Sequence, residues 1–121
     1  MAKTKESKLE EKVSKFMQQR GIWQLARFQA QSNQNGLPDR LYLYKGVLLG
    51  FELKTDTGTP TDLQLKKLKA ICDNGGVGAI IRDVNTVKEI IDCIDVFMHK
   101  YPKVDVAQYL REDLGEFYEE Y

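Results

Sequence analysis

Two short apolar runs separated by Lys45-Gly46 constrain this chain more than any other feature. Asp39 to Lys45 (DRLYLYK) and Val47 to Lys54 (VLLGFELK) are rich in Leu, Tyr, Val and Phe, the composition of β-strands. Side chains alternate along a strand, so Val47, Leu49, Phe51 and Leu53 share a core face while Glu52 and Lys54 share the other. If Lys45-Gly46 is a two-residue hairpin loop, residue 44 pairs with 47 and every cross-strand pair sums to 91. Asp39 then stands opposite Glu52, with Cβ atoms about 4.5–5.5 Å apart. A four-residue loop keeps this register and a three-residue loop loses it.

The rest of the chain reads around that hairpin. Leu9, Val13, Phe16 and Met17 recur at helical spacing from Lys8 to Arg20, and Gly21 closes the segment. Trp23 to Gln29 reads as a strand, and the amide-rich stretch Ala30 to Pro38 as a loop. Thr59 is the expected N-cap of a helix with Pro60 at its first position, running through Leu65, Leu68 and Ile71 to Asn74-Gly75-Gly76. Val77 to Ile81 is continuously apolar and suits a buried strand. Thr86 to His99 carries Val87, Ile90, Ile91, Ile94 and Phe97 on one stripe, Pro102 breaks that helix, and Val104 to Tyr121 forms an acidic final helix or tail. The expectation is one α/β domain over residues 1–121, a mixed β-sheet flanked by helices in the order α-β-β-β-α-β-α-α, with a core at about 6–95 and an acidic extension over 96–121.

Composition narrows the function classes. No apolar run approaches the roughly 18–20 residues that span a bilayer. The start, Met-Ala-Lys-Thr-Lys-Glu-Ser-Lys, is basic with no apolar segment behind it, unlike a signal peptide. Cys72 and Cys93 sit in apolar, helix-like surroundings, so buried free thiols and a reducing cytoplasm are expected. Net charge is zero, but residues 1–69 hold 13 Lys/Arg against 7 Asp/Glu and residues 70–121 hold 5 against 11. This split suits a basic working face on one half and a solvated acidic tail on the other. His99 is the sole histidine, so His-dependent nucleases and His-rich zinc sites lack their residues. Gly75-Gly76 follows a helix and reads as its cap rather than as a phosphate loop. Tyr42 and Tyr44 share a face with Arg40, where core or dimer packing is favoured over stacking on bases.

Chemistry gathers at Asp39, Glu52 and Lys54. Carboxylates held opposite each other repel unless a cation lies between them. Hard oxygen ligands of this kind suit Mg²⁺ or Mn²⁺ together with substrate phosphate. Lys54, one step along the same face, can orient or help deprotonate a water and offset developing negative charge, so the set fits phosphodiester hydrolysis. Gln64 shares a helix face with Leu68 and Ile71 and should point towards the sheet. Glu10 shares a face with Val13 and Met17, an acid on an apolar stripe that calls for a metal or for a nearby Lys or Arg.

The run from LEEKVSKFMQQRGIW (Leu9 to Trp23) through GLPD and FELK to TPTDLQ and GGVGAIIRD resembles the VRR-NUC branch of the PD-(D/E)xK nucleases over roughly residues 6–95. The resemblance implies a restriction-endonuclease-like core and a metal-dependent DNA endonuclease using Mg²⁺ or Mn²⁺. By the family's pattern Asp39, Glu52 and the backbone carbonyl of Leu53 would hold the metal, Glu10 would complete the site, Lys54 would be the catalytic lysine and Gln64 the supporting amide. Glu6 and Glu11 are the neighbouring alternatives for the helix acid. Where many members carry a lysine near the end of the first strand, this chain has Ala26-Arg27. Single-domain members are phage-borne or bacterial, similar to Holliday-junction resolvases and homodimeric, so a branched or four-way DNA junction is the expected substrate. A two-fold dimer would supply the two symmetric cuts that such a junction needs. The rival readings are a nuclease that nicks or trims simple DNA and a non-catalytic DNA-binding module that kept the fold.

Overall fold

The computed structural model describes residues 4–28, 35–102 and 105–113; the first three residues, Gln29, most of the expected loop before Asp39, and the end of the acidic tail lie outside these. In chain order the elements are α1 (Lys5–Gln19), β1 (Trp23–Arg27), β2 (Arg40–Tyr44), β3 (Val47–Leu53), α2 (Asp62–Asp73), β4 (Val77–Ile81), α3 (Val84–Lys100) and α4 (Val106–Asp113). The strands form one mixed sheet in the order β1-β2-β3-β4, antiparallel except for the parallel pair β3–β4. A mixed α/β architecture follows, with a four-stranded sheet and four helices among the described residues.

The Lys45-Gly46 turn sets the register. Lys45 (φ 50°) and Gly46 (φ 80°) both take positive φ, the two-residue turn whose twist matches a right-handed hairpin. Tyr44 pairs with Val47 and Arg40 with Phe51, so the pairs do sum to 91. Asp95 on α3 locks the turn: its carboxylate accepts from Tyr44 Oη (2.6 Å), Lys45 Nζ (2.8 Å) and Arg20 Nη2 (2.7 Å). The Lys45 and Tyr44 bonds hold the Asp95 carboxyl below its ordinary pKa.

One sheet face is the core. Tyr42, Leu49, Phe51, Leu53 and Ile81 meet Leu9, Val13 and Met17 of α1 and Val87, Ile91 and Ile94 of α3. The other face of β3 and β4 carries α2. That helix sits close because the strands beneath it are glycine-rich: a Cβ on Gly50 would run into the Ile71 side chain and lie 2.9 Å from Pro38 Cγ. Gly36, at φ +70°, lies under the same helix, where a Cβ would be 2.5 Å from Leu63 Cγ.

Several expectations are corrected. The α2 N-cap is Thr61, not Thr59: Thr61 and Gln64 form a capping box, which satisfies more backbone donors than Thr59 with Pro60 could. β4, expected to be buried, is an edge strand, and only Ile81 along it is buried. Cys72 and Cys93 are exposed free thiols, not buried ones. Cys72 lies at the open β4 edge, where its Sγ accepts from Gly78 N–H (3.3 Å) in place of a further strand. Leu65 is exposed, and Phe97 is 57 % exposed because the α3 stripe outruns the sheet it packs on. None of the described helices is long and apolar enough to cross a membrane.

Candidate active site

Asp39 and Glu52 meet where β2 begins and β3 ends, at the carboxyl end of the parallel pair β3–β4. Sites in open sheets with parallel strands gather at such ends. The pairing of Arg40 with Phe51 carries the register on to Asp39 opposite Glu52, and the two carboxyls lie within hydrogen-bonding reach of each other. Both are buried, Asp39 at 5 % and Glu52 at 1 % exposure. Pro38 stands opposite Leu53 in this register and has no N–H, so the β-ladder cannot continue there. The missing donor is the one the Leu53 carbonyl would have accepted from, while the Leu53 N–H is taken by the Asp39 side chain, whose Oδ2 accepts from it at 2.8 Å.

Glu52 is held by one oxygen only. Its Oε1 accepts from Gln64 Nε2 at 2.8 Å and lies 3.7 Å from Lys54 Nζ. Its Oε2 is buried and has no hydrogen-bond partner among the described residues. With both carboxyls ionised there is no donor between them, and one shared proton would supply it. Burial, reinforced by the Asp39 charge, pushes the Glu52 carboxyl up to about 7, against the pull of Lys54. Burial also raises Asp39, opposed chiefly by the Leu53 N–H bond. The two titrate as a pair. A buried acid that changes charge near neutral pH, beside a lysine and with an oxygen left over, is suited to proton transfer and to binding a hard cation.

Gln64 has two duties. Its Oε1 accepts from Thr61 N–H (2.8 Å) as the capping box of α2, while its Nε2 donates to Glu52. The cap therefore fixes which end of the amide meets the carboxylate. The Thr61-x-x-Gln64 spacing is the capping signature, and it is visible in the sequence. Arg82, just past β4, donates to Thr55 O at 2.6 Å and ties down the turn that follows Lys54.

Glu10 stands apart from this set. It comes from α1, on the core face of the sheet, and its Oε2 lies 3.6 Å from Arg40 Nη2 and 3.8 Å from Arg27 Nη2. Among the described residues Glu10 is paired with these two arginines. Glu6 and Glu11, the neighbouring candidates, are exposed on the same helix. In the sequence Arg40 is legible only as a neighbour of Tyr42 and Tyr44 on their strand face. Its guanidinium is 1 % exposed, and its position opposite Phe51 was the available signal.

An apolar groove of about 740 Å³ along α3, lined by Ile90, Ile94, Phe97 and Met98 among others, contains none of these groups. No family model, curated protein or solved structure matches the chain.

Proposed function

We propose that this chain is a divalent-metal-dependent DNA endonuclease with a restriction-endonuclease-like core, acting as a homodimer on branched or four-way DNA. The observation that carries the reading is the buried carboxylate pair Asp39–Glu52, with Glu52 Oε2 lacking a partner among the described residues. Two buried acids without a full counter-charge are costly, and a cation is the simplest group to balance them.

The donor set fits Mg²⁺ or Mn²⁺: two carboxylates and, by the loss of the ladder at Pro38, the Leu53 carbonyl, all hard oxygens. A metal held there would supply Lewis-acid stabilisation of the charge that develops on the phosphate. Lys54 Nζ orients the attacking water and adds positive charge beside the non-bridging oxygens. Gln64 keeps Glu52 Oε1 occupied, so that Oε2 is the oxygen left for the ion. The excess of positive charge in residues 1–69 favours an approaching polyanion, and the acidic residues 70–121 would lie away from it.

The test is to incubate the protein and Mn²⁺ with labelled duplex, single-stranded, flap and four-way DNA. Paired cuts in the four-way junction, absent in chelator and in folded Glu52→Gln, are expected. Equal nicking of duplex and junction by a strict monomer would leave a general nuclease and remove the resolvase reading. No cleavage of any substrate alongside salt-sensitive DNA binding would favour the non-catalytic module.

A further inference from the structure

Burying a guanidinium beside a catalytic carboxylate is expensive, and Arg40 does so almost completely. It projects from β2 into the core face opposite Phe51, where an apolar side chain would pack without cost. Among the described residues one of its five N–H donors is placed: Nη1 donates to the backbone carbonyl of Asp39 at 3.1 Å. That carbonyl also accepts from Phe28 N–H at 2.8 Å, while the Asp39 carboxylate accepts from Leu53 N–H. Both ends of Asp39 are therefore fixed, and Arg40 holds one of them.

Arg40 in turn depends on Glu10. Its Nε and Nη2 have no hydrogen-bond acceptor among the described residues, and the Glu10 carboxylate, 3.6 Å from Nη2, is the counter-charge within reach. Arg27 shares that carboxylate at 3.8 Å, so two cations face one acid on this side of Asp39. On the α2 side, two acids face Lys54. The structure assigns Arg40 as a positioning residue for Asp39, with Glu10 serving the site through Arg40 rather than as a metal ligand of its own. The assignment rests on the nuclease reading of Asp39 and Glu52.

A double-mutant cycle tests it, with cleavage followed at saturating Mg²⁺ well below the melting temperature. Glu10→Gln should lower the rate about tenfold in the native background. In the Arg40→Met background, where no buried cation remains to be held, the same change should cost less than about twofold. An equal cost in both backgrounds would overturn the assignment and make Glu10 a direct ligand. Arg40→Gln repeats the cycle if Arg40→Met does not fold.

A second measurement needs no turnover. The Leu53 amide reports the Asp39 carboxylate it donates to, so Glu10→Gln should shift that resonance in the metal-free protein. A Leu53 amide that moves only once Mg²⁺ is added would equally overturn the assignment. Wild-type protein and Glu52→Gln serve as controls. If the wild type does not cleave, or Glu52→Gln cleaves as well as it does, the nuclease reading falls, and the amide shift still judges the positioning role separately.

Discussion

The two faces of the sheet bury charge in opposite ways. On the α1 side a fully buried cation, Arg40, shares the Glu10 carboxylate with Arg27, two cations to one acid. On the α2 side two buried carboxylates face one lysine, Lys54, 3.7 Å from the nearer one, with Arg40 acting on Asp39 from the opposite face. The first arrangement opens to solvent through Glu10 and Arg27, which are partly exposed. The second leaves a carboxylate oxygen unpartnered among the described residues and raises the Glu52 pKa to about 7. A surplus of base that solvent can reach marks support, and a surplus of buried acid marks where an outside cation and substrate belong.

Activity should separate the two sides most sharply. Lys54→Ala should lower cleavage by roughly 10²–10⁴-fold in protein that still folds, since Lys54 supplies charge at the reacting phosphate. Unchanged cleavage by that variant would erase the distinction. Stability should move in opposite directions when each side loses an acid. Glu10→Ala strands the Arg40 charge and should destabilise by about 2–3 kcal/mol, whereas Glu52→Gln relieves repulsion and should stabilise the metal-free protein at pH 8 by on the order of 2 kcal/mol. Thermal melts of the two variants read both signs, and two changes of the same sign would contradict the account.

The pH dependence follows from the same imbalance. A carboxyl whose pKa is raised from 4.5 to about 7 binds its proton more tightly in the folded state. Its contribution to stability is present at low pH and is lost as pH climbs from about 4.5 through 7, then stays level. Metal-free wild type should lose stability across that window, and Glu52→Gln, which keeps only the raised Asp39, should lose less. The smallest effect concerns the shared amide. Gln64→Ala removes half of the α2 capping box and the donor to Glu52 Oε1, and should cost about 0.5–2 kcal/mol in denaturant melts.

Legibility in the sequence followed the same division. The Lys45-Gly46 turn and the alternation of Val47 to Lys54 fixed the register, and with it the facing of Asp39 and Glu52, because a period of two leaves no freedom once the loop length is known. Gln64 was readable from its helix face. Glu10 was ambiguous because periodicity shows that an acid faces inward and not what it meets. The burial of Arg40 is not legible because a charged residue on a core face contradicts the pattern that identifies cores. The exposure of β4 and of Cys72 was hidden because strand order, not strand composition, decides which strand ends at the edge.

The most direct test of the central claim, that Asp39 and Glu52 form a seat for a divalent cation, is calorimetric titration of Mn²⁺ at pH 6 in two buffers of different ionisation heat. With Glu52 titrating near 7, the pair should carry a proton at that pH and release about one proton per ion bound. Release should shrink towards zero above pH 8, and Glu52→Gln should neither bind comparably nor release it. Binding with no proton release at pH 6, or equal binding by Glu52→Gln, would contradict the account.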